Sequence, residues 1–217
     1  MLFRSQLSSA RVVGGGVDVD TFSPDAGVLR DGTVLFVGRV LPHKGIDDLI
    51  RGLPHGMSLT VAGPHPDASY AASLMALAAD KRVTFKTGLT DSELVQEYRR
   101  ALCIVLPSVY RTSSGSETPV PELLGQTLLE GMACETPAIC TMVASMPEIV
   151  DHGKSGFVVE PNKPEAIGER LVELKDRPDR ALEMGKAARA RVLQRFTWDA
   201  VVSRCLDAYN TLGRWRS

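Results

Sequence analysis

The sequence lacks any apolar run approaching the roughly 20 residues of a membrane span. Its opening stretch, MLFRSQLSSARVV, has no apolar core of signal-peptide length, so a cytoplasmic protein is expected. Cysteine is scarce and scattered. Cys103, Cys134, Cys140 and Cys205 form no CxxC pair and lie mostly in apolar surroundings, which predicts buried free thiols rather than metal or redox chemistry. The four histidines, His43, His55, His65 and His152, fall in predicted loops without ligand spacing, so no bound metal is expected. An excess of charge is also missing: 25 basic against 26 acidic residues leave a formal net charge of -1. Such a chain has no bulk attraction for nucleic acid or an anionic membrane, and any anion site must be local. The GxGxxG and Walker patterns are absent, which leaves ordinary NAD or P-loop chemistry without support.

What the 217 residues do contain is a strict alternation of strand and helix signals. TVLFVGR is a continuous β-branched and aromatic run, as expected of a strand covered on both faces. The helix KGIDDLIRGL follows, then the strand MSLTVAG, an Ala-rich helix over 68–79, the strand RVTFKTG, the helix TDSELVQEYRRA and the strand CIVLPS. After a central helix come the strand PAICT, a turn around SMPEIVDHG, the short strand GFVV, and helices over 164–175, 178–194 and 197–212. Alternation of this kind means parallel strands joined by helical crossovers. The fold class is therefore α/β: one Rossmann-like, doubly wound parallel sheet of about six strands with C-terminal helices. Residues 1–24 do not read as a packed element, and the run Gly14, Gly15, Gly16 reads as a hinge or linker.

The stretch PELLGQTLLEGMA, 121–133, holds the two most informative carboxylates. Glu122 follows a polar run and a proline and belongs to a loop; Glu130 lies about a turn and a half into a helix whose apolar face is Leu128, Leu129, Met132 and Ala133. If both were helical they would stand roughly 12 Å apart along the axis. A hydrolase acid/base pair needs roughly 5 to 10 Å. The spacing suggests two grips on a long ligand with a helix N-terminus between them. There the backbone amides of Gly125, Gln126 and Thr127 and the positive end of the dipole suit a phosphate. The 109–120 loop that leads to Glu122 is long and rich in Ser, Thr and Gly, the profile of a functional lid or a disordered segment.

The cations fit the same site. Arg39 directly follows the first buried strand, and Lys44 opens the next helix, where a lysine is disfavoured by some tenths of a kcal/mol unless an anion is present. Both belong at the carboxyl edge of the sheet, where ligands of open α/β folds bind.

At this point four stretches, in order, carry a resemblance that spans nearly the whole chain: GVDVDTFSP, VGRVLPHKG, PELLGQTLLEGMACETP and MPEIVDHGKSGFVV. The sequence resembles the C-terminal, donor-binding half of a retaining GT-B glycosyltransferase of family 4 (glycosyl transferases group 1). The resemblance implies that Arg39 and Lys44, beside Gly38, hold the diphosphate of a nucleotide sugar such as a UDP-, GDP- or ADP-sugar. It implies that Glu130 accepts from the ribose hydroxyls, that Glu122 holds a hydroxyl of the transferred sugar, and that the amides at Gly125, Gln126 and Thr127 complete the cradle. Arg39, Lys44 and Glu122 are then the residues nearest the chemistry. No cofactor or metal is implied, because fixed cations and a helix dipole neutralise the departing diphosphate.

The resemblance also divides the chain: 1–30 as an interdomain linker remnant, 31–195 as the nucleotide-sugar-binding domain, and 196–217 as a C-terminal helix. On that helix Trp198, Val201, Val202, Leu206 and Tyr209 would pack on an N-terminal domain and are expected to lie uncovered without it. That domain, or a partner chain supplying it, would hold the acceptor, so this chain alone is expected to be inactive in transfer. The alternatives are a non-catalytic nucleotide-sugar binding module or a fragment of a GT-B nucleotide-sugar epimerase. Three departures from the family pattern stand out. Glu135 replaces a common glycine just past the central helix and must accept a left-handed conformation or end the helix differently. Ala144 and Ser145 replace a glycine pair near the donor, and Gly14 and Gly15 replace a Pro-Asn hinge.

Overall fold

The computed structural model describes residues 13–119 and 121–213. The expectations for residues 1–12, for Val120 and for 214–217 lie outside the described residues. Six parallel strands form one sheet in the order β3-β2-β1-β4-β5-β6. They are β1 (Val34–Val37), β2 (Ser58–Ala62), β3 (Arg82–Lys86), β4 (Cys103–Leu106), β5 (Ala138–Thr141) and β6 (Gly156–Val159). β1 is buried along its whole length, as an unbroken VLFV run flanked on both sides requires. β3, at the sheet edge, is only partly covered.

The order reverses between β1 and β4. The chain winds outward from β1 through β2 to β3, crosses back to β4 beside β1, and continues to β6. α1 (Ile46–Gly52) packs against α2 (Ala68–Leu77) and α6 (Pro164–Asp176). α4 (Gln126–Ala133) packs against α3 (Asp91–Arg100), α7 (Pro178–Arg195) and the strand β4. The predicted turn around SMPEIVDHG contains one helical turn, α5 (Met146–Ile149), and the last helix is α8 (Trp198–Gly213).

Where the order reverses, the loops after β1 and β4 meet at the carboxyl edges of the strands. The amide of Val109 donates to the carbonyl of His43 at 2.9 Å. Gly45, with φ 65°, lies so close to the other loop that a Cβ there would stand 2.1 Å from the carbonyl oxygen of Pro107. Only glycine fits both the left-handed backbone and that approach.

Three expectations need correction. Lys44 does not open α1; it closes a 3-10 turn, Pro42–Lys44, and Gly45 caps the helix. The described part of the linker carries no regular element, yet it is docked. Val17 is buried and its amide donates to the carbonyl of Phe196, and a Cβ on Gly16 would meet the Trp198 indole at 2.8 Å. On α8, Trp198, Val202, Leu206 and Tyr209 are exposed, but Val201 is only 8% exposed and turns inward.

Candidate functional site

Of the residues singled out in the sequence, Lys44 and Glu122 meet at the segment that enters α4, near the strand-order reversal. Glu122 lies on the loop before α4, outside the helix, and Glu130 lies inside it. Gly125 is the N-cap of α4 in the left-handed region, φ 57°, and offers no side-chain cap. A Cβ there would press on Ile149 Cδ1 at 3.0 Å and Leu128 Cδ1 at 3.2 Å. Among the described residues the amides of Gly125, Gln126 and Thr127 have no acceptor, whereas Leu128 already donates to the carbonyl of Gly125. The N-terminal end of α4 thus presents free donors and the positive end of its dipole.

The other end of the helix is closed by two guanidinium groups that sequence reasoning missed. Arg30 donates to the carbonyls of Ala101 at 2.6 Å and Glu135 at 2.6 Å, and to Thr136 Oγ1 at 3.0 Å. Arg189 donates to the carbonyl of Ala133. Cations at a helix C-terminus complement its dipole. Neither arginine carries a local sequence signal, since both reach α4 from distant parts of the chain.

Lys44 faces the segment that enters α4, and its charge has a partner. Its ammonium donates to Glu122 Oε2 at 2.6 Å and approaches the carbonyl of Pro121 at 3.5 Å. Ser108 Oγ stands 3.5 Å from the same carboxylate oxygen. The sequence reading treated Lys44 and Glu122 as separate grips; here they hold each other. Arg39 is exposed, and among the described residues it has no hydrogen-bond or ion-pair partner. Between the two cations lies His43. Burial holds its imidazole below the ordinary range, Lys44 and then Arg39 push it lower, and Glu122 pulls the other way. His43 therefore senses all three charged groups, which no spacing in the sequence revealed.

Glu130 is partly buried against α3. Its Oε2 accepts from the hydroxyl of Tyr98 at 2.7 Å. Burial raises the carboxyl above its ordinary value, and hydrogen bonds from Tyr98 and the Gln126 side chain pull it back. The Gln126 side chain also donates to the carbonyl of Gly16 at 3.1 Å. Next to Arg39 a cavity of about 460 Å³ opens along the ends of β1, β2 and β3, lined in part by Gly38, Gly63, Gly88 and Leu89.

Ala144 and Ser145, the residues that replace a glycine pair, are both tied to the loop before α4. Ala144 is left-handed, φ 49°, and its amide donates to the Tyr110 hydroxyl at 2.8 Å, while Ser145 Oγ donates to the carbonyl of Leu123. The described part of the loop before Glu122 folds on itself through a bridge between Arg111 and Glu117, and Asn162 anchors it at the carbonyl of Arg111. Cys103, Cys134 and Cys140 are buried free thiols, and Cys205 is half-buried. Among the described residues no three His, Cys, Asp or Glu side chains stand together as a metal could require. No helix among them is long and apolar enough to cross a membrane.

The sequence and the fold have counterparts among known proteins. The model of the family "Glycosyl transferases group 1" matches residues 21–191. The chain is 31% identical over 212 residues to a GDP-mannose-dependent alpha-(1-6)-phosphatidylinositol monomannoside mannosyltransferase of Mycobacterium tuberculosis, covering 88% of this chain and 53% of that protein. It is 30% identical over 227 residues to an alpha-maltose-1-phosphate synthase of Mycolicibacterium smegmatis, covering 91% and 56%. Among solved structures, sucrose-phosphate synthase from Thermosynechococcus elongatus superposes with a TM-score of 0.78 at 26% identity, over 97% of this chain and 55% of that one. Anabaena HepE in complex with UDP-glucose shares the fold, with a TM-score of 0.73 at 19% identity over 92% and 56%. The chain spans about half the length of the curated relatives it matches.

Proposed function

The chain belongs to the glycosyl transferases group 1 family, and from that premise we propose that it forms the donor-binding half of a retaining, metal-independent GT-B glycosyltransferase of family 4. The observation that carries the reading is the meeting of Lys44 with the entrance of α4, at the strand-order reversal where open α/β sheets hold ligands. An ammonium and a row of unpaired amides converge on one crevice, which is a site for an anion of more than one charge.

In this reading Arg39, Lys44 and the amides of Gly125, Gln126 and Thr127 neutralise the diphosphate of a nucleotide sugar. Charge that develops on the departing diphosphate is met by groups already in place, so no metal is needed. Glu130 accepts from the ribose hydroxyls, and Glu122 holds a hydroxyl of a transferred hexose. The cavity beside Gly38, Gly63 and Gly88 takes the base. The relatives named above support a nucleotide-sugar donor, since one is a GDP-mannose-dependent enzyme and a structural neighbour holds UDP-glucose.

The acceptor would be seated by an N-terminal domain or a partner chain, in the cytoplasm. Residues 1–30 serve as the linker to it, 31–195 as the donor domain, and 196–217 as the helix that docks on it. The exposed line of Trp198, Val202, Leu206 and Tyr209 along α8 supports that division. Transfer needs the acceptor held as well as the donor, so it is expected only with that domain or partner present.

A thermal-shift titration with UDP, GDP and ADP and their sugars tests the reading. A ligand at 100 times its dissociation constant stabilises the fold by about 2.7 kcal/mol. At least one nucleotide is expected to do so, and Arg39→Ala, which removes an exposed side chain without a folded-state partner, is expected to abolish the shift. Silence toward every nucleotide would overturn the reading.

A further inference from the structure

We infer that Tyr98 is a positioning residue for the ribose grip: its hydroxyl fixes one oxygen of Glu130 so that the rest of the carboxylate faces a ribose diol. The inference rests on the donor-site reading above. Tyr98 is fully buried, the largest side chain in the core to be so, and its hydroxyl donates to Glu130 Oε2 at 2.7 Å. A carboxylate has roughly four acceptor positions. Tyr98 occupies one on Oε2 and the Gln126 side chain bonds the same group, which leaves the remaining positions in a set direction.

The ring that carries this hydroxyl is itself held. Phe22, in the stretch leading into the domain, packs edge-on against it with ring centroids 5.9 Å apart. Thr136 Oγ1 donates to the carbonyl of Tyr98 at 2.6 Å, which ties α3 to the segment after α4. A free glutamate on a helix samples several rotamers, and a diol can be read by two hydrogen bonds only if the acceptor is fixed. Burial of Glu130 supplies the cost of a wrong orientation, since a carboxylate without partners is penalised there. Tyr98 neither reaches the diphosphate cradle nor lines the cavity beside Gly38. Among the described residues its hydroxyl bonds only Glu130, so loss of that hydroxyl acts through Glu130.

The test is calorimetric titration of the wild type, Tyr98→Phe, Glu130→Ala and the double variant. The ligands are UDP, GDP and ADP, their 2′-deoxy forms, and inorganic pyrophosphate as the ribose-free control. The wild type is expected to prefer the ribose form over the deoxy form by about tenfold, the worth of a hydrogen bond to a charged group. Tyr98→Phe is expected to lose most of that preference while pyrophosphate affinity stays unchanged, and the double variant is expected to match Glu130→Ala. A full ribose preference in Tyr98→Phe overturns the inference, as does an equal loss for pyrophosphate, which a merely structural role would produce. Binding of no nucleotide by the wild type would instead fell the donor-site reading, and this inference with it. Should Tyr98→Phe not fold, Phe22→Leu loosens the ring but keeps the hydroxyl; it must lower the same ratio, and an unchanged ratio overturns the inference equally.

Discussion

Lys44 and Glu122 form an ion pair of 2.6 Å at the mouth of α4, with side chains only 13% and 12% exposed. On the proposed reading, the ammonium assigned to the diphosphate is thus paired with the carboxylate assigned to the sugar. A diphosphate bound there is then expected to compete with Glu122 for the same ammonium and to free the carboxylate for the sugar. The two subsites are therefore expected to be coupled through the Lys44 ammonium, with a sign that can be measured.

Glu122→Gln keeps the shape of the side chain and removes the competing charge. Its affinity for inorganic pyrophosphate is expected to rise about fivefold, or roughly 1 kcal/mol. The extra affinity that a sugar adds to a nucleoside diphosphate is expected to fall in the same variant. Calorimetry on both ligand classes reads the two effects separately. Weaker pyrophosphate binding would mean that Glu122 assists the phosphate site instead of competing with it.

If the crevice holds a diphosphate, His43 is expected to make its binding sensitive to pH. Its folded value is depressed below the ordinary 6.5, first by burial and then by Lys44 and Arg39. A base depressed in this way contributes stability that is present above its unfolded value and lost as pH falls through the folded one. A diphosphate bound there is expected to reverse the local field and raise the imidazole, so that binding is accompanied by proton uptake at His43. Pyrophosphate is therefore expected to bind more tightly to the wild type than to His43→Gln as pH drops, on the order of threefold near pH 5.5. Protonation of the ligand is common to both proteins, so their difference isolates His43. Parallel pH profiles would show that the histidine does not feel the anion.

Gly45 holds the two loops of the crevice together, and its neighbour Lys44 depends on that contact. A Cβ there would meet the carbonyl oxygen of Pro107 at 2.1 Å, whereas a Cβ on Gly56, also left-handed at φ 80°, meets nothing within 4 Å. Gly56→Ala is expected to cost about 1 kcal/mol in urea unfolding, the backbone strain alone. Gly45→Ala must shift main chain and is expected to cost about 3 kcal/mol or more. Equal costs would place the Gly45 constraint in its torsion and not in the contact.

The sheet was legible because parallel strands buried on both faces are unbroken apolar runs, and VLFV, CIVL and AICT are runs of that kind. Gly125 and Glu130 were legible because a loop-to-helix boundary leaves a local mark. What was not legible joins residues far apart in the chain: Lys44 with Glu122, Tyr98 with Glu130, and Arg30 with the backbone just past α4. Helix geometry explains the misassigned Val201. Successive residues turn about 100° around the axis, so Val201 and Val202 cannot share a face. The pattern alone did not say which of them looks inward.

Glu135 offers a last test, because α4 ends in a glycine motif without the glycine. The amide of Thr136 donates to the carbonyl of Gly131 at 3.0 Å and that of Glu135 to the carbonyl of Met132 at 3.1 Å, the paired bonds of a Schellman cap. The left-handed residue in the cap is Glu135, φ 60°. Relief of its backbone strain, about 1 kcal/mol, exceeds the added freedom a glycine brings to the unfolded chain by only a fraction of that. Glu135→Gly is therefore expected to stabilise the protein by about 0.5 kcal/mol in urea unfolding, with Glu135→Asn in between. The main-chain bond from Arg30 to the carbonyl of residue 135 survives both changes. A loss of stability in the glycine variant would show instead that attraction between the Glu135 carboxylate and the half-buried Arg30 outweighs the strain, and that the charge was kept at the expense of the preferred backbone.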